Sequence, residues 1–305
     1  MADDATTKKS KVPTEQKLHG TSKSQKDGVV SEKVVEDKKL EEKKIQKGGS
    51  GAKKVVKVDD SSKVTEKKKE SKSPVELTDM LEAGVHFGHQ SRRWNPKMDE
   101  FIWQNRDGVH IFDLLKVSKC LSQACEAVKE EIKSGKSIAF VGTKRQASSI
   151  VKHHAQRAGV AYVVSRWAGG TITNWSQIKN SIKRLVDIKE GMPKGKFNDY
   201  TKKERVLLER KAARLERLFG GLVDLKSSPD ILFIVDVNRE KAAVKEAKTR
   251  GIPIYALIDS NSNPDHVNYP IPGNDDAVRS IELIVSVFTD AVKEGMDARV
   301  TRIKN

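Results

Sequence analysis

Side chains able to do chemistry gather at a few points along the 305-residue chain. Val141 to Arg145, VGTKR, lies where an apolar run turns into an alanine-rich helical pattern. In α/β proteins that junction binds phosphates. Neither G-x-G-x-x-G nor G-x-x-x-x-G-K-[ST] accompanies it, so the backbone cradle of a nucleotide site is missing. Thr143 reads as a helix cap, and Lys144 and Arg145 as cations for RNA phosphates. His86 and His89 stand three apart in HFGH, with His110 further on. Asp236, Asp259, Asp265, Asp275 and Asp276 fall at or just beyond the ends of apolar runs, where α/β enzymes keep catalytic acids. With His86 they would make a divalent-ion site. DSNSNPD (259–265) is dense in turn-forming residues, which favours caps and turns instead. A zinc site needs further ligands that the sequence does not supply, and no serine or cysteine nucleophile motif is present, so we expect no metal, no cofactor and no catalytic residue.

Basic residues interleaved with an aromatic point elsewhere. In RRWNPKM (92–98), Arg92, Arg93 and Lys97 flank Trp94 in a loop stiffened by Pro96. Phosphates take such cations, and an exposed base can stack on such a ring. Trp94 reads as the loop's anchor and the cations as RNA contacts. Trp167 to Trp175, WAGGTITNW, spends two of the four tryptophans around a glycine pair. Thr173 or Asn174 is placed to cap the helix that follows. The segment reads as a rigid elbow launching a basic helix, with its tryptophans as packing anchors.

Elements must hold these residues in place. SIAFVGT (137–143), VAYVVSRW (160–167), DILFIVDV (230–237) and IPIYALID (252–259) are apolar throughout and alternate with helical patterns. Continuous apolar strands separated by helices make a parallel sheet covered on both faces, a doubly wound α/β domain. Further helices are expected over 114–133 and from about 275 to 294. Between 175 and 219 no strand intervenes. Ile178, Ile182 and Leu185, then Leu208, Ala212, Leu215 and Phe219, give each of two helices one narrow apolar seam, the pattern of an antiparallel coiled-coil hairpin. Its outer faces carry Lys179, Lys183, Arg184, Lys202, Lys203, Arg205, Arg210, Lys211, Arg214 and Arg217. Cations outnumber acids enough there to favour a phosphate backbone over a merely solvated face.

Composition separates the chain into two materials. Residues 1–76 have no Phe, Trp, Tyr or Arg and carry 20 Lys against 14 acids. Such a stretch cannot repay the entropy of folding, so a disordered Lys/Glu-rich extension is expected. Of the net charge of +16, that extension supplies +6 and the rest +10, with all 16 arginines in the latter. An excess of this size favours a polyanionic partner. Cys120 and Cys125 lack metal-ligand spacing and read as buried apolar thiols, in keeping with a reducing compartment. No apolar run reaches the roughly 18 residues of a membrane span, and the N-terminus has neither a signal-peptide core nor the composition of a transit peptide.

The strings EAGVHFGHQSRRWNPKM (82–98), FVGTKRQA (140–147), RWAGGTITNW (166–175), LERLFGG (215–221), IPIYALIDSNSNPD (252–265) and IPGNDDA (271–277) occur in one order. Together they resemble the bacterial-type second protein of the small ribosomal subunit. The resemblance implies a five-stranded parallel sheet with a protruding coiled-coil hairpin, spanning 77–295 with the hairpin at 175–219 and a short tail at 296–305. It implies a non-catalytic constituent of the small subunit, bound to its rRNA. A neighbouring protein that captures mRNA is implied as a partner, on a ribosome in a bacterial cytoplasm or an organelle. Carried onto this chain, RNA contacts fall on Arg92, Arg93, Lys97, Lys144, Arg145, Arg166, Asn174, Lys179, Lys183 and Arg184. The Lys/Glu extension departs from the family pattern. The competing reading is a nucleotide-using α/β enzyme with an appended coiled coil.

Overall fold

A computed structural model of the chain describes residues 75–304. The expected disorder of the N-terminal extension therefore lies outside the described residues. A short helix, α1 (Leu77–Glu82), leads into three strands, β1 (Phe87–Gln90), β2 (Ile102–Arg106) and β3 (Val109–Phe112), which form an antiparallel sheet in the order β1-β3-β2. Asp107 and Gly108 join β2 to β3 with φ of 53° and 77°, the left-handed pair of a tight hairpin.

After α2 (Leu114–Lys133) comes the main sheet. Its strands are β4 (Ile138–Val141), β5 (Ala161–Val163), β6 (Ile231–Val235), β7 (Ile254–Ile258) and β8 (Tyr269–Pro272), in the order β5-β4-β6-β7-β8 and all parallel. The five-stranded α/β architecture is as expected. Every residue of β4, β6 and β7 is buried, which is why these strands read as unbroken apolar runs. Phe140, Phe233 and Tyr255 meet Phe288 under the sheet, with the Phe233 and Phe288 rings stacked at 4.3 Å.

Chain direction decides where the helices go. From β4 the chain steps one way, through α3 (Ser148–Ala158), to β5; from β6 it steps the other way, through α6 (Lys241–Arg250), to β7. Right-handed crossovers in opposite directions put α3 and α6 on opposite faces. On the α3 face lie α2 and the last helix, α7 (Val278–Lys304). That helix runs well past Glu294, so 296–304 continue it and are no separate tail.

Between β5 and β6 stand α4 (Trp175–Gly191) and α5 (Lys202–Phe219), which pack on one another. Thr201 and Glu204 cap α5 reciprocally. Ile178 and Ile182 of α4 join the main core, while α5 buries only Phe219 and half-buries Leu208, Ala212 and Leu215. Lys189 pairs with Glu216 across the two helices. The first turns of α5, Lys202 to Leu207, are exposed.

Candidate nucleic-acid interface

The elbow is built before the arm it launches. Trp167 is buried, as are Thr171 and Ile172. Gly170 adopts φ of 88°, which a side chain would oppose; Gly169 does not need such freedom. The Gly170 amide and those of Ile172 and Thr173 all point at one carboxylate on α6, that of Glu246. Burial on its own would raise the Glu246 pKa. The hydrogen bonds from Trp167, Gly170, Thr173 and Ile172 outweigh it and hold the group below its usual value. Asn174 occupies the cap position of α4 without a capping side-chain bond. From there Lys179, Lys183 and Arg184 project into solvent along α4, opposite buried Ile178, Ile182 and Leu185.

A second basic region rims the carboxyl ends of the sheet. Asn95 caps the turn at Pro96 and its amide donates to the Ser260 carbonyl, 2.8 Å away, docking the RRWNPKM loop beside the β7 terminus. Trp94 stacks on buried His110 at 4.9 Å, the anchoring role expected of it. Arg92 and Arg93 are exposed. Lys97 is exposed as well and bonds Asp265. The expected contact residues thus divide: Arg92, Arg93, Lys97 and Arg145 rim the sheet, Asn174, Lys179, Lys183 and Arg184 follow the elbow, and exposed Arg166 stands at the elbow's entrance.

Lys144 behaves differently from the rest. Its side chain is 11% exposed, and its ammonium lies 2.7 Å from Asp275, 2.6 Å from Asp276 and 3.7 Å from Asp236. This occupies the crevice between β4 and β6 where the strand order reverses, the place an α/β enzyme keeps its ligand. Thr143 is no helix cap, since α3 starts only at Ser148; its amide and hydroxyl both donate to Glu240. A crevice lined by Asp236, Glu240, Asp275 and Asp276 and closed by an internal lysine repels phosphate. Nothing here supports a nucleotide enzyme.

His89, not His86, meets the acids. Its Nδ1 lies 2.9 Å from Asp259 and its Nε2 3.5 Å from Asp276. His89, Asp275 and Asp276 bring ligand atoms within 4.8 Å of one another, the one such metal-sized group among the described residues. The bond to Asp259 raises the His89 pKa against burial, helped by the charges of Asp259, Asp275 and Asp276. Burial, with the charges of Asp259 and Asp236, pushes Asp275 up to about 7 against the pull of Lys144. Both groups hold protons more tightly folded than unfolded. Their contribution is therefore complete at low pH and fades as pH climbs through about 7 for Asp275 and past the ordinary histidine range for His89. We expect the urea midpoint to fall between pH 5.5 and 8.5 by roughly the linkage of two groups. Asp275→Asn should flatten that slope; a midpoint that rises with pH would contradict the assignment.

With the elbow, the basic arm and the filled crevice in view, comparison with known sequences is decisive. The family model of ribosomal protein S2 matches residues 80–295. The chain belongs to the ribosomal protein S2 family. The S2 match takes in the main sheet, the elbow and both arm helices. The chain is 47% identical over 221 residues to the small ribosomal subunit protein uS2 of Oenococcus oeni, covering 72% of this chain and 85% of that one. A uS2 from Nitratiruptor is 48% identical over 225 residues, with 74% and 84% covered. A protein named uS2c, from Guillardia theta, is 47% identical over 221 residues, with 72% and 94% covered.

Proposed function

We propose that this chain is a non-catalytic constituent of a bacterial-type small ribosomal subunit, in a bacterial cytoplasm or an organelle, and binds the subunit's rRNA. The observation that carries the reading is the exposed basic face of α4, held out from the sheet by a rigid elbow. Lys179, Lys183 and Arg184 are the principal phosphate contacts, joined by Arg166 and Asn174 along the elbow. Arg92, Arg93, Lys97 and Arg145 form a second patch. Lys144 is left out of the contact set, because three carboxylates already claim its charge. The folded part, from α1 to the end of α7, works as one domain with the helical arm inserted at 175–219.

Protein neighbours, including one that captures mRNA, are part of the same reading. A face on which Leu81, Phe87, Trp103 and Leu115 are all exposed around one groove supports a protein contact there. Two measurements test the function. In a sedimentation profile the chain should travel with small subunits; recovery only in the soluble fraction would defeat the reading. Binding to small-subunit rRNA should weaken about a thousandfold or more between 50 and 200 mM salt, as for proteins making six or more phosphate contacts. An affinity indifferent to salt would be just as damaging.

A further inference from the structure

We propose that Glu246 is the positioning residue of the arm: its carboxylate fills a backbone anion nest in the elbow and so fixes the direction in which α4 leaves the sheet. The inference rests on the reading that α4 faces RNA. Five donors converge on this one side chain. Trp167 Nε1 and the Gly170 amide donate to Oε1, at 3.0 and 2.8 Å. The Ile172 amide at 3.0 Å and the Thr173 amide and hydroxyl, each at 3.1 Å, donate to Oε2. Successive amides aimed at one point form the concavity that elsewhere in proteins holds phosphate. Here the anion comes from the chain itself.

Helix α6 is a firm base for such a latch. Ala243, Val244 and Ala247 of α6 are buried in the core, so Glu246 cannot move without the sheet. One turn on, Arg250 donates to the Thr173 carbonyl at 3.0 Å, gripping the elbow a second time just before α4 begins. The Asn174 amide closes back onto the Gly170 carbonyl at 2.8 Å. Every partner of Glu246 is a donor, so the site needs an acceptor-only group with two oxygens. A glutamine would turn its NH2 toward amides that cannot accept.

The test reads arm direction apart from RNA binding. In the full chain with Cys120→Ala and Cys125→Ala, spin labels go on Lys152→Cys of α3 and Asp187→Cys of α4, both exposed sites. With Glu246 present, pulsed EPR should give one narrow distance distribution. Glu246→Ala should broaden it at least about twofold and weaken association with small subunits about tenfold, while circular dichroism shows the helices retained. Sodium acetate, whose carboxylate fits the vacated nest, should narrow the distribution again in Glu246→Ala; sodium chloride at equal ionic strength should not. Glu246→Gln should stay broad in either salt. Should Glu246→Ala fail to fold, Glu246→Asp serves, with a broadened distribution still expected from its shorter reach. A distribution as narrow as the parent's, or one that acetate leaves broad, overturns the proposal. A broadened arm with undiminished association would support the latch and instead overturn the assignment of α4 to RNA.

Discussion

A chain carrying Lys179→Glu, Lys183→Glu and Arg184→Glu together is expected to lose its hold on the small subunit by at least about a hundredfold, with its fold intact. Each lysine or arginine on a phosphate displaces about one counterion, so the salt slope should fall by about 3 and repulsion should add to the loss. The fold should survive because all three side chains are exposed. Lys179 and Lys183 stand four apart on the helix, and reversing both leaves a like-charged pair as before. Titration of subunits stripped of this protein, at several salt concentrations, reads both quantities. Unchanged affinity and slope would make the basic face a merely solvated one.

The second large effect concerns folding. Gly220 and Gly221 follow α5 as neighbours, yet their surroundings differ sharply. A Cβ on Gly221 would lie 2.2 Å from the Tyr162 carbonyl oxygen of β5 and 2.6 Å from its ring. Backbone in a sheet cannot step aside, so Gly221→Ala should cost about 3 kcal/mol, the upper end for overpacking. For a domain of this size that lowers the melting temperature by roughly 6–12 °C. At Gly220 the nearest atom is Glu216 Cγ at 3.5 Å, so Gly220→Ala is the matched control and should melt near the parent. Equal melting of the two variants would refute the account.

What could be read from residue order follows from burial. Strands β4, β6 and β7 are covered on both faces and therefore announced themselves as apolar runs. Strand β2 leaves Trp103 to Arg106 exposed, so nothing in its pattern betrayed a strand. Strand β8, YPIP, holds two prolines, which argue against a strand until its place at the sheet edge is known. The acids at the carboxyl ends of the strands were legible, but choosing between His86 and His89 required the fold. Lys144 looked like an RNA contact because its acidic partners lie about 90 or more residues away in the chain. Glu246 was missed for the same reason. The one faint sign was a lone acid in α6, KAAVKEAKTR, at a half-buried position among lysines.

The prolines of β8 have a bearing on the protein before it is assembled. The Gly273 amide donates inward to Ile258 of β7, at 2.9 Å. Amides alternate along a strand, so those of residues 270 and 272 would point outward, and both residues are proline. The outer border of the sheet therefore offers no N–H at either position to a second copy. A newly made chain waiting for its RNA cannot extend its sheet by adding a neighbour's strand along this border. Free copies can accumulate without polymerising through that side.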